Sequence, residues 1–145
     1  MSTLPHQITA IYRCGSMFRT EKSKEKLPFI YHGYISFIHY HPGQSQDNVA
    51  KYLCLNKSSA ARHLAYLEEN GYIERRKSET DKRETLVYPT EKLEEIAPEI
   101  AAISADWKNA ITRDIDEKDY AVFLSVLEKI YDNAQELIYG GGDTE

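Results

Sequence analysis

A chain of 145 residues, 41% hydrophobic and 28% charged, has the size and composition of one globular domain able to bury about two thirds of its unfolded surface. No apolar stretch approaches the roughly 18 residues of a membrane span, and the start MSTLPHQITAIYRCGSMFR lacks the charged, apolar and small-residue regions of a secretory signal. A membrane protein is thereby excluded and a cytoplasmic one expected. The net charge of −5 hides an asymmetry: residues 1–90 hold thirteen Lys and Arg against nine Asp and Glu, and residues 91–145 hold five against fourteen. Such a split suits an anion-binding face on one part and a solvated acidic part elsewhere.

In chain order, Ile8, Ile11, Tyr12, Gly15 and Phe18 predict one amphipathic helix, which gives way to the lysine-rich RTEKSKEKLP. Ile30, Tyr34, Phe37 and Ile38 predict a second, stopped at HPG, where Pro42 cannot continue a helix. Ser45 reads as the N-cap of a short helix burying Val49, Ala50 and Leu53. Asn56 reads as the next N-cap, followed by a helix with Ala60, Leu64 and Leu67 on one face and Gly71 at its close. The periodicity then changes from 3.6 to 2: YIERRK and ETLVYP flank SETD and predict a two-stranded hairpin. Thr90 caps a stripe of Ile96, Ile100, Ile103, Trp107 and Ile111, which Pro98 should kink or divide. Asp116 opens a last helix carrying Tyr120, Phe123, Leu124, Leu127, Tyr131, Ala134 and Ile138, closed by the glycines at 140–142.

Two short helices meeting across a few residues, followed by a hairpin, make a helix-turn-helix with a β-wing. At SQDNVAKYLCLNKSSAARHLAYLEENGYIERR and TDKRETLVYPT the chain resembles the MarR family of bacterial transcription regulators, through the capped helix-turn-helix, the LEENGYIERR exit and the Asp-x-Arg of Asp81 and Arg83. The resemblance covers essentially the whole chain. It implies a mostly α fold with a small β-hairpin, and one domain over 1–145. A winged helix-turn-helix would span about 28–92, with N- and C-terminal dimerisation helices at about 5–20 and 93–139. It also implies a homodimer on double-stranded DNA with a pseudo-palindromic operator, acting as a repressor. Two departures stand out. Cys54 occupies a turn position where the family usually has Gly or Asn, so a positive φ would be strained and another turn geometry is expected. After the wing, Pro89 and Leu93 replace the family's Leu and Gly.

With Ala60, Leu64 and Leu67 facing inward, helix geometry turns Ser58, Ser59, Arg62, His63 and Tyr66 to solvent. Arginine can bind guanine O6 and N7 bidentately, and serine reaches base edges or phosphates. In a winged helix the hairpin lies beside this helix, so Arg75, Arg76, Lys77, Lys82 and Arg83 would approach phosphates and the minor groove. Asp81 would be repelled by DNA unless paired, and the resemblance implies that it orients Arg83.

Tyr12, Phe18, Phe29, Tyr31, Tyr34, Phe37 and Tyr40 crowd the first two helices, where the family has a ligand crevice. Tyr12, Phe18, Tyr31, Tyr34 and Phe37 are the candidate lining for a small aromatic or amphipathic effector, with core packing as the plainer reading. Cys14 is a candidate redox sensor if Tyr31 or Tyr34 offers its thiolate a phenol. With Cys54 forty residues away, no structural disulfide is expected. His32, His39 and His41 lack the companions of a metal site, and no metal or other cofactor is expected. The chain has no phosphate loop, nucleophile elbow or zinc-hydrolase pair, which argues against an enzyme. A winged-helix protein-interaction module without DNA binding is the remaining alternative.

Overall fold

The structure, a computed structural model, describes residues 1–140. The chain runs through α1 (Leu4–Lys22), α2 (Phe29–Tyr40), β1 (Gln44–Ser45), α3 (Gln46–Tyr52), α4 (Lys57–Glu69), β2 (Ile73–Lys77), β3 (Thr85–Pro89), α5 (Glu91–Ile111) and α6 (Glu117–Tyr139). The protein is mostly helical, a winged helix-turn-helix in which α3 and α4 are the helix pair and β2–β3 the wing. Gly140 follows α6 as its C-cap; Gly141 and Gly142 of the expected glycine stop lie outside the described residues. None of the described helices is long and apolar enough to cross a membrane.

Helix starts follow from side chains that accept the first free amides. Ser45 accepts from Asn48 N at 3.1 Å, Asn56 from Ser59 N at 2.7 Å and Asp116 from Lys118 N at 2.8 Å. Thr90 serves twice: its hydroxyl donates to the Gly71 carbonyl at 2.6 Å and accepts from Leu93 N at 3.4 Å, joining the end of the α4 region to the start of α5. α5 continues through Pro98, so no new helix starts there.

The wing strands pair antiparallel with Arg75 opposite Val87 and Lys77 opposite Thr85. Gln44 and Ser45 add a third antiparallel strand on the other edge of β3, giving the order β1-β3-β2 instead of a two-stranded hairpin. Gly43, at φ +83, donates to the Val87 carbonyl at 2.8 Å. A Cβ there would sit 3.2 Å from the Tyr88 ring, so only glycine lets the chain enter this strand.

The chain divides into two compact units, one ending at Trp107 and the other beginning at Lys108. In the first, the core joins Tyr34, Ile35 and Ile38 of α2 to Val49, Leu64, Leu67, Ile73, Val87, Leu93 and Ile100. In the second, α6 carries Val122, Phe123, Val126, Ile130 and Leu137 exposed, and none of its residues is buried.

Candidate nucleic-acid interface

Both helices of the helix-turn-helix end in the same hydrogen-bonding device. At the end of α3, Leu55 N bonds Ala50 O at 3.0 Å and Cys54 N bonds Lys51 O at 3.2 Å; at the end of α4, Tyr72 N bonds Leu67 O at 2.9 Å and Gly71 N bonds Glu68 O at 3.0 Å. Each closure needs a left-handed residue just past the helix. Gly71 takes φ +80 freely, whereas Cys54 takes φ +56 with a Cβ in place. The other turn geometry expected at Cys54 is therefore not adopted: two carbonyls at the end of α3 must be satisfied, and this conformation satisfies them.

On α4, Ala60, Leu64 and Leu67 are fully buried, as the periodicity predicts. Ser58 and Arg62 are exposed, and Ser59 is half-buried. Ser58 Oγ donates to Asn56 Oδ1 at 2.9 Å, and Arg62 donates to Ser59 Oγ at 3.2 Å, so the guanidinium lies back along the first turn of the helix. His63 and Tyr66 are less free than their spacing suggests. His63 Nδ1 lies 2.9 Å from the Tyr34 hydroxyl, and the Tyr66 ring stacks on Tyr31 at 4.4 Å and 14°.

The wing cations divide. Arg75, half-buried on β2, donates through Nε and a terminal nitrogen to Glu68 Oε1 at 3.2 and 3.0 Å and through its backbone N to Oε2 at 2.9 Å. Its other terminal nitrogen is 3.4 Å from Gln46 Oε1. Expected to approach phosphate, Arg75 instead joins α3, α4 and β2, and these hydrogen bonds hold the Glu68 carboxyl below its ordinary range. Arg76 pairs with Glu74 at 2.8 Å and lies over the Tyr88 ring. Lys77 donates to Thr85 Oγ1 at 3.3 Å, and Lys82 is exposed.

Ser78 shapes the tip of the wing: its Oγ accepts from Thr80 N and Asp81 N, and its own N bonds Glu84 O at 3.0 Å. Asp81 then clasps Arg83, accepting from backbone N at 3.0 Å, Nε at 3.1 Å and a terminal nitrogen at 3.1 Å. The side-chain hydrogen bond from Arg83, aided by the backbone one, holds the Asp81 carboxyl below its ordinary range. Arg83 nonetheless remains 91% exposed, so the acid fixes its direction without covering it.

The family model described as MarR matches residues 34–85, from α2 to the wing. The HTH-type transcriptional regulator BilQ of Clostridium symbiosum is 26% identical over 112 residues, 77% of this chain and 78% of that protein. From α2 to the wing, then, the chain is similar to the MarR family. The curated relatives it matches are named HTH-type transcriptional regulators. Two solved MarR-fold structures share its architecture. A regulator of the MarR type from Listeria monocytogenes, complexed with 26mer DNA, matches with a TM-score of 0.83 and 22% identity over 100% of this chain and 99% of that one. PcaV from Streptomyces coelicolor, in complex with its natural ligand, matches with a TM-score of 0.81 and 16% identity over 92% and 94%.

Within the first unit, a cleft of about 230 Å³ opens on the side of α2 away from α4. Of the five aromatics expected to line it, only Tyr12 does. Phe18 packs on Trp107 at 5.4 Å, Tyr31 on Tyr66, Tyr34 against His63, and Phe37 on Tyr52 at 4.3 Å. The walls come instead from Phe29, Ile30, Leu53, Leu55 and Ile100, with Arg19, His32, Ser36 and Ser104 as polar groups. Arg19 Nε and His32 Nδ1 are buried without a partner among the described residues. The Arg19 guanidinium also lies over the Phe29 ring at 4.7 Å. His32 Nε2 donates to the Leu27 carbonyl at 2.8 Å, so Nδ1 is left as an acceptor. Burial lowers the pKa of both groups.

Cys14 is exposed on α1, and neither Tyr31 nor Tyr34 offers it a phenol, both being engaged with α4. The three histidines considered for a metal have separate tasks: His32 bonds Leu27, His39 pairs with Glu94 at 2.6 Å, and His41 packs on Phe37 at 4.8 Å.

Proposed function

We propose that two copies of the chain bind a pseudo-palindromic operator, with α4 of each in the major groove and the wings on the flanking backbone and minor groove. The observation that carries this reading is the pairing of an exposed Arg62 on a firmly held helix with an Arg83 that is aimed yet exposed. Ser58, Ser59, Arg62, His63 and Tyr66 supply the helix contacts; Arg76, Lys77, Lys82 and Arg83 supply the wing cations; Asp81 orients Arg83. Arg75 acts through α4 and does not contact DNA. The unburied apolar face of α6 supports pairing of two chains through the terminal helices. A dimer requires half-sites about one helical turn, ~10 base pairs, apart.

Such a dimer represses by occupying a promoter, and a small effector in the α2 cleft releases it. The apolar walls with an orphan guanidinium N–H and an orphan imidazole acceptor suit a small aromatic acid that also carries a hydroxyl. Its carboxylate meets Arg19 and its hydroxyl donates to His32 Nδ1.

Light scattering with duplex titration tests the assembly. The expected result is a two-chain mass and salt-sensitive binding to a duplex selected from a randomised pool. A monomer at micromolar concentration that still binds tightly overturns the dimer. For the effector, hydroxybenzoates should raise the melting temperature and release the selected duplex, and Arg19→Met should abolish both effects.

A further inference from the structure

Tyr34 and His63 together carry information that neither carries alone. Tyr34 is 0% exposed on α2, and its hydroxyl has one hydrogen-bond partner among the described residues, Nδ1 of His63 on α4. A buried hydroxyl proton needs an acceptor, and Nδ1 is the one within reach. Burial pushes the Tyr34 phenol up to about 12, so it keeps that proton. Burial, and then the neighbouring Arg62 charge, lower the His63 pKa, which favours the neutral ring. A neutral imidazole that accepts at Nδ1 carries its own proton on Nε2. Tyr31 and Tyr34 hold the ring edge-on at 5.7 Å and 87° and at 5.6 Å and 77°, which opposes a flip that would exchange the two nitrogens. Nε2 is not among the buried atoms lacking a partner, and no partner among the described residues engages it, so it reaches solvent on the same helix as Arg62.

We propose that Tyr34 is a positioning residue for DNA readout: it fixes His63 in the Nε2–H tautomer, so that α4 presents a neutral, pre-aimed donor to the major groove beside the Arg62 guanidinium. This rests on the reading that α4 enters that groove. The tautomer decides which base edge fits. A donor matches guanine N7 and O6, adenine N7 or thymine O4 and is mismatched to the amino group of cytosine; an acceptor on the opposite tautomer would instead match that amino group. His63 therefore selects against cytosine at one position of each half-site.

The test has a spectroscopic arm and a binding arm. Long-range proton–nitrogen correlation spectra of the wild-type protein, free in solution at neutral pH, should show His63 protonated on Nε2, and Tyr34→Phe, which removes only the hydroxyl, should show mixed tautomers. Selection from a randomised duplex pool should then give a wild-type motif in which His63→Ala loses one preference per half-site. Tyr34→Phe should blunt that same preference and weaken the selected duplex by about 2- to 10-fold. Tyr34→Phe combined with His63→Ala should bind no worse than His63→Ala alone, and His63→Gln should shift the preference towards adenine. A wild-type His63 protonated on Nδ1, or a Tyr34→Phe protein with an unchanged motif, overturns the proposal while leaving DNA binding intact. A wild-type protein that enriches no duplex overturns the groove reading and this proposal with it.

Discussion

Helix α4 buries Ala60, Leu64 and Leu67 and is tied by side chains to Tyr34 of α2 and Arg75 of β2, whereas the wing tip at residues 78–84 is tied, among the described residues, to itself. The difference matches two kinds of recognition. Reading a base edge needs a donor held within a few tenths of an ångström, which the anchoring of α4 to the core would supply. Meeting a phosphate needs charge at the correct distance, and a small self-supporting turn supplies that.

The largest expected effect comes from the anchored side. Arg62→Ala should cost about 1–3 kcal/mol on the selected operator and much less on a scrambled duplex, measured by parallel titration. Equal losses on the two duplexes would make α4 a charge contact like the wing and remove the distinction. On the wing, Arg83→Ala should weaken both duplexes and lower the salt slope by about one per arm. Asp81→Ala should also weaken both, because Arg83 loses its direction; tighter binding after removal of this negative charge would refute the orienting role. Since Arg83 lowers the Asp81 pKa, their contact should persist as pH falls into the ordinary carboxylate range and fail only below it.

Smaller effects test the anchoring itself. Glu68→Gln weakens the hold on Arg75 and should lower stability by up to about 1 kcal/mol, this pair being partly exposed. The folded pKa of Glu68 lies below its ordinary 4.5, so its contribution is fully present above that pH and is lost as pH falls through the lowered value. In Glu68→Gln this part of the acid-side loss of stability should disappear from the melting curves. Smallest of all, Cys54→Gly should relieve a left-handed residue and raise stability by less than about 1 kcal/mol, the flexibility of glycine in the unfolded chain offsetting part of the gain. DNA affinity should not change; a destabilised Cys54→Gly would show that the side chain contributes more than its backbone conformation costs.

Much of this was legible in the sequence because local rules govern it. Ser45, Asn56 and Asp116 cap the helices they precede, and the apolar spacing of α4 gives its buried face. β1 was not legible: two polar residues carry no alternation, and their pairing depends on β3, some forty residues later. Arg75 and Arg76 are adjacent and alike in composition. Strand alternation sends one towards Glu68 and the other over Tyr88, a difference set by what each face packs against. The lining of the cleft escapes the sequence for a related reason. The aromatic crowding of α2 was visible, but nothing in its spacing says that Tyr31 and Tyr34 face α4 while Phe29, His32 and Ser36 face the cleft.

That division of α2 also bears on descent. Substitutions at Phe29 or Ser36 alter what the cleft admits and leave the Tyr31 and Tyr34 grip on α4 in place, whereas a substitution at Tyr34 is felt at α4 whatever the cleft contains. Inherited variation on one side of this helix is thus separable from variation on the other. If the cleft takes an effector and α4 enters DNA, as proposed, the first kind of change would alter the signal answered and leave the site read as it was.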